Sequence, residues 1–152
     1  MGEAMRVRLL TCCVALIACG LVAVGASAQS NAKTTLRIFD PTGQIHAQVT
    51  LPGIVRRQTA VTYVNDPRGM GRLLLVFNRA GRTDFCRLTR GLARRGARLH
   101  NHHEVNAFEV NGHIYLRPYV DYRYYPNGLC GLPDLQVQMK LATARQLARL
   151  LR

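Results

Sequence analysis

The chain has 152 residues and a formal net charge of +13, carried almost wholly by arginine, since Lys33 and Lys140 are the only lysines. A length of this order fits one domain behind a leader, and so strong a positive field favours anionic partners: phosphates, acidic polysaccharide, lipid headgroups or acidic protein. Ser30 is the one serine beyond residue 28, beside the start of the mature chain, which excludes serine-nucleophile catalysis from the domain.

Residues 1–28 read as a cleavable signal peptide. Arg6 and Arg8 form a positive start, Leu9 to Val24 is apolar, and Ala26-Ser27-Ala28 is a small-x-small cleavage site that leaves Gln29 first. Gly20, Gly25 and the polar stretch after Ala28 argue against a membrane anchor. The competing reading is a lipobox, Leu16-Ile17-Ala18-Cys19, with Cys19 lipidated; the apolar residues that continue beyond Cys19 favour simple cleavage. The domain at 29–152 is therefore expected to be periplasmic or secreted. Cleavage removes Cys12, Cys13 and Cys19 and leaves Cys86 and Cys130, which in an oxidising compartment form one disulfide. Closing so long a loop contributes roughly 3–4 kcal/mol in the chain-entropy model. The alternative is two free thiols. Loss of Glu3, Arg6 and Arg8 with the leader lowers the net charge by one, to +12.

Thr34–Phe39 and Ile45–Leu51 alternate in polarity around Asp40-Pro41-Thr42-Gly43, the pattern of a β-hairpin. Thr59–Val64 is a third strand, ended by Asn65-Asp66-Pro67-Arg68-Gly69. Arg72–Asn78, with Leu73-Leu74-Leu75-Val76-Phe77 inside it, is the central strand. From Arg79 the period changes. Phe85, Leu88 and Leu92 share one helical face, Arg87, Arg90 and Arg94 share the opposite one, and Gly96 is the expected stop. Val105–Val110 and His113–Val120 flank Asn111-Gly112, a dipeptide suited to the positive φ angles of a type I′ turn. Leu135–Met139 is the last strand, and Leu141–Leu151 closes as a helix with Leu147, Leu150 and Leu151 inward and Arg145, Arg149 and Arg152 outward. The pattern predicts an α+β domain, a mainly antiparallel sheet with two helices packed on one face.

This order of elements resembles the head subdomain in the periplasmic domain of SecD/SecDF, an auxiliary subunit of bacterial protein export. The residues that carry the resemblance are Pro52-Gly53-Ile54 followed by Thr59-Ala60-Val61, the stretch LLVFNRAGRTDFCRLT with Gly81, Phe85 and Leu88-Thr89, then Asn111-Gly112-His113-Ile114 with Pro118, and the terminal ARQLARLLR. Two features depart from that family. The segment between Thr89 and Asn111 is longer and includes His100-Asn101-His102-His103, and Lys140 stands where the family's last helix opens on threonine, so that Thr143 is the candidate cap. No apolar span follows residue 28, so the resemblance implies a SecD-head-like fold and a habit of contacting polypeptide, without proton-driven translocation.

Candidate chemistry is sparse. The carboxylates Asp40, Asp66, Asp84, Glu104, Glu109, Asp121 and Asp134 are scattered and suggest no acid–base pair. His100, His102, His103 and Glu104 form the one cluster with ligand chemistry, a zinc or copper site or the centre of a small basic nuclease or hydrolase; the competing reading is a polar surface loop. Tyr115, Tyr119, Tyr122, Tyr124 and Tyr125 alternate with His113, Arg117 and Arg123. Period two places His113, Tyr115, Arg117, Tyr119 and Asp121 on one strand face, either a binding surface or ordinary packing. The expected function is a non-enzymatic binding protein of the cell envelope without cofactor or metal. It would contact polypeptide or an anionic envelope component through Tyr115, Arg117, Tyr119 and Arg123 and through Arg87, Arg90 and Arg94; nucleic acid is a less suitable partner for an exported chain. The rival readings are the histidine-dependent enzyme and a structural or stress protein of the envelope. Mass spectrometry of the exported product tests the leader and the cross-link together: the chain should begin at Gln29 and weigh two hydrogens less than its reduced form.

Overall fold

The computed structural model describes residues 33–63 and 68–152. The signal peptide, Cys12, Cys13, the Cys19 lipobox and the turn at Asn65-Asp66-Pro67 lie outside the described residues. The class is α+β, as the pattern predicts. Among the described residues, β1 (Leu36–Phe39), β2 (Val49–Thr50), β6 (Ala107–Val110) and β7 (His113–Leu116) form a four-stranded antiparallel sheet in the order β2-β1-β6-β7. A second sheet sets β4 (Met70–Val76) between β3 (Ala60–Tyr63) and β9 (Asp134–Lys140), and β5 (Glu104–Val105) pairs with β8 (Tyr119–Val120). The strands thus divide over three sheets where one was expected. Helix α2 (Leu141–Leu151) packs on β3, β4 and β9, whereas α1 (Arg79–Leu99) packs against β2, β5 and β8, so the two helices cover different strands. One core joins them, built on Ile38, Leu73, Leu75, Phe85, Leu88 and Leu147.

Strand β4 is central for the expected reason. It alternates Leu73 and Leu75, both fully buried, with side chains on its other face, and it pairs along its whole length with β9, from Met70 opposite Lys140 to Val76 opposite Asp134. The first hairpin is less regular than its alternation suggests. Its return strand shrinks to Val49–Thr50, because the Asp40 carboxylate accepts hydrogen bonds from the amides of Thr42 (3.0 Å) and Ile45 (3.1 Å) and turns the intervening chain into a loop. The Asn111-Gly112 turn forms as predicted, with φ of 51° and 77°. The strand after it does not run to Val120. Pro118 has no amide with which to continue a ladder, and its carbonyl accepts instead from Asn106, so β7 ends at Leu116 and β8 joins another sheet.

Helix α1 opens on Asn78, whose side chain accepts from the Gly81 amide at 2.9 Å. It runs past Gly96 to Leu99 and ends on His100 in the left-handed region (φ 52°), with the Asn101 amide bonded to the Gly96 carbonyl. Gly96 is needed for a different reason than stopping the helix: a Cβ there would lie 2.7 Å from the Asn101 carbonyl oxygen. Gly81 is tighter still, since its Cβ would lie 2.1 Å from the carbonyl oxygen of Gly53 in the 3-10 turn Leu51–Gly53. At α2, Thr143 does not act as a cap. The position is Lys140, no side chain caps it, and the Leu141 amide is satisfied by the Gly69 carbonyl.

Cys86 and Cys130 form the expected disulfide, tying the loop before β9 to the middle of α1. Two further contacts bind the same loop. Thr89 Oγ accepts from the Leu129 amide (2.9 Å), and Gly128, at φ 73°, lies so close that a Cβ would meet the Arg90 nitrogen at 2.3 Å. Replacing both cysteines by serine should lower stability in urea unfolding by about 4 kcal/mol, the chain-entropy value for a loop of this length. A loss below about 1 kcal/mol would mean that Thr89 and Gly128 hold the loop unaided.

Candidate functional site: the arginine face of α1 and the tyrosine–histidine end

The most strongly built polar cluster was not anticipated from sequence. Arg95 continues the stripe Phe85, Leu88, Leu92 by three residues and is itself buried, with 6% of its surface exposed. Its Nη1 donates to Asp40 Oδ2 (2.6 Å) and Thr42 Oγ (2.7 Å), and its Nη2 to Asp40 Oδ1 (3.2 Å). Its Nε donates to Glu104, whose other oxygen accepts from Asn101 Nδ2 at 2.8 Å. Burial alone would raise the Asp40 pKa. The Arg95 hydrogen bond and those from Thr42 and Ile45 outweigh it, so the carboxyl is held below its ordinary value; the same exchange raises Arg95. One guanidinium thus serves two carboxylates, and Asp40, Arg95 and Glu104 are all buried. It joins the loop after β1, the last turns of α1 and the start of β5.

The histidine cluster does not converge. His100 is the exposed cap of α1, the His102 ring stacks on Tyr122 (centroids 5.3 Å apart), and the His103 ring meets Tyr119 edge-on at 4.6 Å. Glu104, read with them as a ligand, is bound to Arg95. Among the described residues, no three of His, Cys, Asp and Glu are placed to hold a metal ion. In place of a site shared by His100, His102 and His103, the structure has two ring contacts, at His102 and His103, with His100 apart from them.

The tyrosine–arginine strand is likewise redistributed. Tyr115 is half-buried between Phe108 (6.5 Å) and His113 (4.6 Å), which is the packing alternative. Arg117 is exposed at the break before Pro118, and Tyr119 is exposed beyond it in a different sheet. Asp121 is buried rather than facing outward. Arg123 binds it through Nη2 at 2.7 Å and lies over the Tyr124 ring at 5.7 Å. The Arg123 hydrogen bond pulls Asp121 down to about 2. Tyr115, Arg117, Tyr119 and Arg123 therefore do not form one face.

The arginine face of α1 does form. Arg87, Arg90 and Arg94 are exposed at the predicted spacing. Arg79 and Arg82 extend it: together with Arg87 and Arg90 they line a groove of about 430 Å3 beside Cys86 and Gly131. Counting back by four from Arg90 reaches Cys86 and then Arg82, and three more residues reach Arg79, so the signal was present in the helical period. Among the described residues, no carboxylate lines the groove. Asp84, 3.8 Å from Arg87, is the nearby acid, and Arg90 is held in place by Nε to the Asn127 carbonyl (3.4 Å) and Nη2 to Cys130 Sγ (3.5 Å). Four guanidinium groups around one concavity present planar donor forks to an anion.

Compared with known proteins, the chain matches no protein-family model, no curated protein sequence and no solved structure.

The Arg95 cluster sets a pH dependence whose sign follows from Asp40. Its pKa is depressed on folding, so its stabilisation is present above the ordinary carboxylate range and is lost as pH falls through the folded value. Arg95→Met should cost about 3–5 kcal/mol in urea unfolding at neutral pH, because it leaves two buried carboxylates uncompensated. The deficit should shrink as pH falls through the folded value of Asp40, because the wild-type protein loses that carboxylate's contribution there. A loss under about 1 kcal/mol at neutral pH would contradict the assignment.

Proposed function

We propose that this chain is an exported, non-enzymatic binding protein of the bacterial cell envelope, SecD-head-like in fold, which takes an anionic envelope component on the arginine face of α1. One observation carries the reading: Arg79, Arg82, Arg87 and Arg90 surround a single groove that, among the described residues, contains no acid. Like charges gathered in one concavity raise the local positive potential and concentrate anions there. The rest of the molecule supports it. The helix that bears these arginines is fixed at Gly81, at the disulfide and at Arg95, so the donors are arranged before any ligand arrives. A disulfide suits an oxidising compartment, and no helix among the described residues is long and apolar enough to cross a membrane. The engagement of His102 and His103 by tyrosine rings favours binding over histidine catalysis. Of the two partner classes, polypeptide and anionic component, the α1 face fits the second.

Sedimentation with vesicles of phosphatidylglycerol and phosphatidylcholine tests this. The protein should bind vesicles containing the anionic lipid and not pure phosphatidylcholine. At about 1 kcal/mol per surface arginine, Arg82→Gln/Arg87→Gln/Arg90→Gln should weaken binding on the order of a hundredfold. Lys140→Gln/Arg145→Gln/Arg149→Gln removes the same charge from the other end of the chain and should leave most of the affinity. Equal losses in the two variants would reduce the interaction to net charge and sink the assignment of the α1 face.

A further inference from the structure

A second, larger groove, of about 590 Å3, opens between the start of β1 and the 3-10 turn after β2. Its chemistry differs from that of the α1 face. Leu36, Leu51 and Ile54 give it an apolar floor, and Lys33, Arg37 and Arg56 contribute three cations. Among the described residues, no carboxylate lines it. Glu109, 3.8 Å from Arg37, offsets part of one charge, and Arg56 Nε donates to the Leu151 carbonyl, while Lys33 faces no acid among the described residues.

The groove also contains an unused strand edge. The Thr35 carbonyl accepts from the Asn111 amide (3.1 Å) and the Thr35 amide donates to Asn111 Oδ1 (2.9 Å), so the main chain of Thr35 faces β6. Main-chain groups alternate in direction along an extended segment, so those of Thr34 face the opposite side, where β2 would continue. Strand β2 stops at Thr50, opposite Arg37, because Pro52 and the 3-10 turn carry the chain away. The Thr34 N–H and C=O consequently have no hydrogen-bond partner among the described residues. An open edge of this kind is a template for another strand.

The period of the edge states what that strand should look like. Leu36 and Ile38 point inward and are buried, whereas Lys33, Thr35 and Arg37 are exposed on the other face. A strand laid beside them would set alternate side chains over the apolar floor and alternate side chains among the cations. We infer that this groove binds an extended polypeptide in which apolar and acidic residues alternate, added as a strand at the start of β1. This surface is separate from the arginine face of α1, and either assignment can fail without the other.

The probe is a fluorescein-labelled octapeptide alternating valine with glutamate, titrated with the purified protein and read by anisotropy, with hydrogen exchange at the Thr34 amide as the local readout. Binding should slow exchange at Thr34. Lysine in place of glutamate should abolish binding. N-methylation of alternate peptide amides should weaken it about tenfold, as should Lys33→Glu/Arg56→Glu, whereas Arg82→Gln/Arg87→Gln/Arg90→Gln should leave it unchanged. Failure of the glutamate peptide to bind, or unaltered exchange at Thr34, would overturn the proposal. So would equal binding of the N-methylated peptide with displacement by dodecanoate, which would make the groove a site for anionic amphiphiles, and so would loss of binding in the α1 variant, which would make the attraction one of overall charge.

Discussion

The buried pairing of Arg95 with Asp40 and Glu104 fixes how the rest of the molecule is arranged. Three segments, one of them more than fifty residues from the others, meet at one guanidinium, and each hydrogen bond needs its partner within a few tenths of an ångström. Taking three charges from water is costly, so such a cluster adds less to net stability than its short distances suggest. Its effect is on choice of structure. A helix α1 rotated by one residue, or a first hairpin paired as a regular ladder, would leave at least one of these charges buried without a counterpart. The loop after β1 is irregular because Asp40 is committed to Arg95 and to its own following amides.

Helix α1 distributes different duties around its circumference. Phe85, Leu88 and Leu92 enter the core. Gly81 and Gly96 let backbone approach where any side chain would collide. Thr89 and Cys86 hold the loop before β9, and the arginines face solvent. Interior glycines disfavour a helix by about 1 kcal/mol each relative to alanine, yet this helix is 21 residues long. Tertiary contact at the Gly53 carbonyl and at Asn101 supplies what local propensity lacks. A cationic face that is fixed on several sides loses little freedom when it meets an anion.

The tyrosines and histidines follow a related logic at the other end of the helix. His102 with Tyr122, His103 with Tyr119 and His113 with Tyr115 form ring pairs, which engage three of the histidines and three of the tyrosines between 100 and 125. What looks in sequence like a ligand cluster beside an aromatic strand is three separate ring pairs.

Amino-acid order alone determined much of what depends on local period and turn chemistry. The alternation in β4 and β9, the stripe in α1, the Asn111-Gly112 turn and the outward arginines at 87, 90 and 94 all follow from spacing, because side-chain direction in a helix or strand is set by geometry within a few residues. The α+β class and the pairing of Cys86 with Cys130 were legible for the same reason and from cysteine count. The tertiary structure alone decided which charges are buried, since an arginine one turn beyond Leu92 reads as solvent-facing until Asp40 and Glu104 arrive from elsewhere in the chain. It also decided that Pro118 hands the strand to another sheet, and that Thr34 keeps an edge unpaired among the described residues. Both are settled by which neighbours remain available for hydrogen bonding, a property of the assembled sheets that no local window of sequence contains.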